Sequence, residues 1–133
     1  MPDHHASCSC GQLTLVAHVD SGPIRVSMCH CFACQRRTGS TYGAQARFAT
    51  KDIEVRGRST TWVRTGDEGT QAEFHFCPDC GATVWWRKPE DDSFRAVPIG
   101  AFADPTFPAP VYSVYEERRH PWVSVPEDAE HVW

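Results

Sequence analysis

All seven cysteines of this 133-residue chain sit in three tight clusters. They are Cys8-Ser9-Cys10, Cys29-His30-Cys31-Phe32-Ala33-Cys34 and Cys77-Pro78-Asp79-Cys80-Gly81, and none stands alone. Such clustering has three physical causes: disulfides, thiol redox chemistry or a metal. An odd total cannot be paired within one chain, and Cys-x-Cys is a poor spacing for an unstrained bridge. No apolar leader precedes Cys8, so neither a disulfide framework nor a secretory signal is expected. A dithiol reductase has no need of three sulfurs in one short loop. Zinc fits better, because it takes about four thiolate or imidazole ligands, and Cys-x2-Cys loops let two sulfurs converge on it.

Seven thiolates divide into four and three, and zinc has a use for each set. A closed four-sulfur site is structural, whereas three protein ligands leave a position open. Two partitions satisfy the spacing. One joins Cys8, Cys10, Cys77 and Cys80, which clips the N-terminal segment to the later knuckle and leaves Cys29, Cys31 and Cys34 around a second ion. The other pairs Cys31 and Cys34 with Cys77 and Cys80 as a ribbon and strands Cys8, Cys10 and Cys29. The first is preferred because it keeps each cluster whole.

The totals constrain less. At 133 residues the simplest reading is one domain with its core over about 8–125, long enough to need no disulfide staple. A formal net charge of −4 offers no general attraction for nucleic acid. The apolar runs fall well short of the ~20 residues that span a bilayer, so no membrane segment is expected. Abundant unpaired thiols suit a reducing compartment, the cytoplasm.

Read in order, residues 1–7 form a polar, loose lead-in tied down at Cys8, with His4-His5 solvated. Residues 12–19 are an apolar, β-branched strand entering a turn at 20–23, and residues 24–28 alternate and deliver the chain to Cys29. After Cys34 the spacing allows one short helical turn before Gly39. Short β-prone runs follow over 42–49, 53–56, 60–64, 72–76, 83–86, 94–99 and 111–115, separated by turn residues. The proline-rich stretch 100–110 is irregular, residues 116–119 are a solvated charged turn, and residues 127–133 are a tail. Many short strands with almost no amphipathic helical window argue an all-β sandwich or folded pair of sheets whose loops are pinned by zinc.

The motifs Cys8-x-Cys10, Cys29-His-Cys31-x-x-Cys34-Gln-Arg-Arg-Thr-Gly-Ser40, Phe76-Cys77-Pro-Asp-Cys80-Gly81 and Gly100-Ala-Phe-Ala-Asp-Pro105 resemble the glutathione-dependent formaldehyde-activating family, which also includes centromere protein V-like proteins. The likeness runs from about Cys8 to Val125. It implies an Mss4-like all-β fold with the first partition of thiols, Cys8, Cys10, Cys77 and Cys80 on a structural zinc and Cys29, Cys31 and Cys34 on a second, catalytic-type zinc. It also implies carbon–sulfur lyase chemistry, with glutathione near the second metal and formaldehyde adding to its sulfur. Pro121-Trp122 resembles the family's closing motif, but a histidine common upstream of it is replaced near Ser113.

The expected chemistry follows from the open site. Three anionic sulfurs temper the ion and favour a soft thiol as fourth ligand, which suits carbon–sulfur bond making. Arg36 and Arg37, just beyond the cluster, offer bidentate contacts to a carboxylate such as glutathione's, against a solvated or ion-paired reading. No catalytic residue beyond the ligands of the second zinc is assigned. His30 between two cysteines reads as structural, and Trp62, Trp85, Trp86, Trp122, Phe74 and Phe76 as core or sheet-face aromatics. The alternative function is a zinc-stabilised binding module without turnover.

Overall fold

A computed structural model describes residues 3–19 and 22–132, so part of the turn expected at 20–23 lies outside the described residues. The chain runs β1 (Asp3–Ser7), β2 (Thr14–His18), β3 (Arg25–Cys29), α1 (Phe32–Thr38), β4 (Gly43–Ala49), β5 (Ile53–Arg56), β6 (Thr60–Thr65), β7 (Gln71–Phe76), β8 (Thr83–Lys88), β9 (Asp91–Pro98), β10 (Tyr112–Val114) and β11 (Glu130–Val132). The fold is all-β, as the strand spacing implies.

Two sheets form. The smaller has the order β1-β2-β5 and the larger β11-β10-β3-β4-β9-β8-β7-β6. Most neighbours are antiparallel, but β10 lies parallel to both β3 and β11. Alternation along the strands decides what lies between the sheets. Leu15 and Ala17 of the small sheet, with Leu13 just before it, meet Val26, Ala46, Phe48 and Val97 of the large one. Register carries that face across strands, Val26 opposite Ala46 and Ala46 opposite Val97. A fully buried aliphatic side chain of this kind contributes about 1.5–3 kcal/mol.

Because Val26 and Met28 face this core, Arg25, Ser27 and Cys29 stand on the other face of the large sheet. That second face carries the three-cysteine cluster, with α1 beside it. Gly57, in the β5–β6 turn, has φ +99°, and a Cβ there would lie 2.0 Å from the Gln12 carbonyl oxygen. Only glycine allows the backbone so close.

Three expectations are corrected. Residues 3–7 are not a loose lead-in: they form β1, paired with β2 from Asp3–His18 to Ser7–Thr14, with Ala6 in the core. His4 packs edge-on against Phe102 and Phe107, whose rings reach β1 from the 99–107 segment. The expected tail from 127 contains β11, and Ala129 before it is buried, so packing extends past both ends of the 8–125 span. Residues 116–119 are not simply solvated, since the Glu116 side chain is nearly buried and accepts from Ser113 at 3.0 Å.

Candidate functional site

Cys8 and Cys10 sit in the turn between β1 and β2, and Cys77 and Cys80 in the knuckle after β7. Gly81 closes that knuckle at φ +81°, its N–H donating to the Cys77 carbonyl at 2.8 Å. The four Sγ atoms lie within 4.8 Å of one another. The Cys8–Cys10 and Cys10–Cys77 Sγ pairs are each 3.7 Å apart. A Zn–S bond of about 2.3 Å in a regular tetrahedron requires sulfurs about 3.8 Å apart, so the donor set and its spacing fit zinc.

The surroundings also prepare Cys8 and Cys77 to carry charge. The Leu13 N–H donates to Cys8 Sγ at 3.3 Å, the Asp79 N–H to Cys77 Sγ at 3.3 Å, and Gln12 Nε2 to Cys77 Sγ at 3.0 Å. Burial pushes the Cys77 thiol up, but the donors from Gln12, Cys80 and Asp79 outweigh it and bring the thiol down to about 6. Gln12 is held for this by Arg58, whose N–H donates to its Oε1 at 3.1 Å and whose carbonyl accepts from its Nε2 at 2.8 Å.

On the far face of the large sheet, β3 ends at Cys29. Cys31 caps α1, its Sγ accepting from the Cys34 N–H at 3.3 Å. An N-cap and the residue three positions on share one side of the first turn, which brings Cys34 beside Cys31. Gly39 terminates the helix in the left-handed region at φ 70°, its N–H donating to the Gln35 carbonyl. The cap and this C-terminal turn make a seven-residue helix, longer than the single turn expected. The Sγ atoms of Cys29, Cys31 and Cys34 also lie within 4.8 Å of one another, and among the described residues no further Cys, His, Asp or Glu joins them. Three soft donors with no fourth again fit zinc, with one position left open.

The three thiols act on one another. Hydrogen bonds from Cys29 and Cys34 pull Cys31 down, while the bond to Cys31 is the largest influence pushing Cys29 up. Gly43 pairs with Cys29 across the strands, and its missing side chain leaves room for Cys34 and Arg37. A Cβ at Gly43 would lie 3.2 Å from Arg37 Nη2 and 3.7 Å from Cys34 Sγ.

The two arginines read from the sequence part company. Arg37 turns inward and is half-buried, its guanidinium 4.4 Å over the Trp86 ring and 5.4 Å over Phe74. Arg36 is exposed and lines an open groove of about 460 Å³ with Gln35, His120 and Trp122. Trp122 is 73% exposed and Trp62 57%, so neither is a core aromatic, whereas Trp85 and Phe74 are buried. Trp62 stacks on Phe74 as a sheet-face residue.

Sequence reasoning missed several supporting side chains. Arg64, on β6, brings its guanidinium to 5.7 Å from the Phe74 ring. Gln35 donates to the carbonyls of His30 at 2.9 Å and Arg118 at 3.2 Å, and its Oε1 lies 3.0 Å from His120 Nε2, so it ties α1 to the segment after β10. The Cys34-Gln35-Arg36-Arg37 run shows that polar side chains lie near the cluster, but not which backbone they meet.

In a comparison with solved structures, the chain matches a Rhodobacter sphaeroides protein known from its crystal structure, at 21% identity and a TM-score of 0.55, over 73% of this chain and 85% of that one. That likeness concerns the fold alone. No curated protein matches the chain. The family model described as glutathione-dependent formaldehyde-activating enzyme matches residues 3–118, a span that holds all seven cysteines. The chain belongs to the glutathione-dependent formaldehyde-activating enzyme family.

Proposed function

We propose that this protein is a carbon–sulfur lyase-type enzyme that makes or breaks the adduct between a glutathione-like thiol and a small carbonyl such as formaldehyde. The carrying observation is the convergence of Cys29, Cys31 and Cys34 with no fourth donor among the described residues. A zinc ion bound there supplies a site for the substrate's sulfur and lowers that thiol's pKa. Cys8, Cys10, Cys77 and Cys80 hold the structural zinc in this reading.

In the forward direction the substrate S–H is lost, an S–C bond forms at the carbonyl carbon, and the carbonyl π pair takes up a proton at oxygen to give an S-hydroxymethyl thiol. The reverse step returns thiol and aldehyde. Cys29, Cys31 and Cys34 fix the place of the reacting sulfur, and their rigidity comes from the α1 cap and the β3 end. Arg36, exposed along the groove beside His120 and Trp122, suits a carboxylate of the thiol substrate, and Arg37 suits its sulfur end. The unpaired thiols favour the cytoplasm as the working compartment.

Formaldehyde and glutathione exchange, followed by NMR line broadening of the adduct, tests this reading. The wild-type protein should speed exchange. Cys31→Ser should lose that effect while keeping one zinc and its fold, and unchanged exchange in the variant would contradict the assignment.

A further inference from the structure

The two edges of the larger sheet differ. At one end stands β11, only three residues long. At the other stands β6, six residues reading Thr-Thr-Trp-Val-Arg-Thr, of which the first four are all exposed and the one charge, Arg64, is partly buried. It bonds to β7 along its whole length and to no strand on its outer side among the described residues. An edge strand that stays single is ordinarily short or broken by proline, lysine or a bulge, because one row of its N–H and C=O groups is free to pair. β6 has none of these guards, whereas β5, at an edge of the smaller sheet, exposes Glu54 and Arg56.

An aromatic row crosses this part of the sheet and stops at the open edge. Trp86, Phe74 and Trp62 stand in register on β8, β7 and β6, with ring centroids 5.4 and 6.0 Å apart. Phe74 is buried, but Trp62 at the end of the row is 57% exposed, and Val63 on the other face is 45% exposed. Side chains opposite one another in an antiparallel pair share a face. A two-fold axis at this edge can therefore set Trp62 opposite its own copy, which carries the aromatic row on into a second molecule.

That register also decides what meets beyond the strand ends. Glu68 lies six positions after Trp62 and Arg56 six before it, so the 66–69 turn of each copy comes alongside the 56–58 turn of the other. Arg58 already holds Asp79 at 2.7 Å, but Arg56, Asp67 and Glu68 have no oppositely charged partner among the described residues. Base meets acid at both ends of the pair, and this self-complementarity selects a second copy of the chain over an unrelated strand.

We propose that β6 is a homodimer interface, through which two copies pair edge to edge, antiparallel about a two-fold axis at Trp62, and join their larger sheets into one.

Sedimentation of the full chain over a concentration series reaching about 100 µM tests this. The wild type should reach a closed species of twice the chain mass. Trp62→Lys sets two cations opposite each other and should leave a monomer. Glu68→Arg and Arg56→Glu should each weaken dimerisation about tenfold, because each change counts twice across the axis. Mixed in equal amounts, those two variants should associate as the wild type does, since the exchange restores base against acid at both ends. Should Trp62→Lys not fold, the charge variants alone carry the test. A wild type that stays monomeric throughout, a dimer that the variants leave intact, charge variants that fail to rescue each other, or open-ended association in place of a dimer would overturn the proposal.

Discussion

His30 Nε2 lies 3.1 Å from Ser113 Oγ, and both residues are fully buried although 83 positions separate them. Ser113 has one proton and donates it to Glu116 Oε1 at 3.0 Å, so its oxygen accepts from His30. His30 therefore carries its proton on Nε2. Glu116 reaches on to His131 Nδ1, and the backbone N–H of His30 donates to the Val114 carbonyl at 3.1 Å. This line of contacts bolts the loop between Cys29 and Cys31 to β10.

Ser113→Ala should leave both the imidazole and the carboxylate short of a partner in a dry environment. The expected loss is about 1–3 kcal/mol of folding stability, read from urea denaturation. A Ser113→Thr variant should recover part of it. Wild-type stability in Ser113→Ala would show that this contact carries nothing.

Gln12 joins the four-sulfur cluster to the β5–β6 turn through Cys77 and Arg58. Outer partners of metal-bound sulfur commonly matter by 10–100-fold in affinity, so Gln12→Ala should weaken zinc retention at this cluster by about tenfold. Competition with a chromophoric chelator measures it, and metal binding at the Cys29, Cys31 and Cys34 cluster should be unaffected.

Gly57→Ala places a methyl group where the Gln12 carbonyl already lies, in a backbone conformation that side chains avoid. The expected cost is roughly 3 kcal/mol, visible as a lowered urea midpoint with an unchanged slope. A fall in zinc retention should accompany it, because the same displacement moves Gln12.

His18 sits between Glu54, 3.0 Å from its Nε2, and Asp3, 2.8 Å from its Nδ1, and so links all three strands of the small sheet. The Glu54 contact first, then Asp3, raises its pKa above the ordinary 6.5. A raised folded-state value means that this stabilisation is present below about pH 6.5 and fades as pH rises through the folded pKa. The urea midpoints of wild type and His18→Gln should therefore differ at pH 6 and converge by about pH 9. A gap of equal size at both pH values would contradict the linkage, and an NMR titration of His18 checks its pKa directly.

Strands separated by turn residues are legible in the sequence because a half-buried sheet writes its period into side-chain alternation. The runs 53–56, 60–64 and 72–76 were readable from their β-prone residues and the turn residues between them, and strands form there at 53–56, 60–65 and 71–76, although β6 is exposed along almost its whole length. β1 was not: Asp-His-His-Ala-Ser puts only Ala6 into the core, and its pairing with β2 comes from tertiary context. β11 was hidden likewise, since its three residues are exposed and it exists by parallel pairing with β10. The gathering of sulfurs followed from cluster spacing. The contacts of Gln12 with Cys77 and of Ser113 with His30 carry no local signature, because each partner lies far off in the chain.

The most direct test of the central claim, that the three-sulfur cluster holds a metal with a position left for an external thiol, is native mass spectrometry of freshly prepared protein before and after glutathione. The account predicts two zinc ions per chain and a glutathione adduct that disappears in Cys31→Ser together with one of the ions. A single tightly held zinc and no adduct would contradict it and favour a zinc-stabilised binding module.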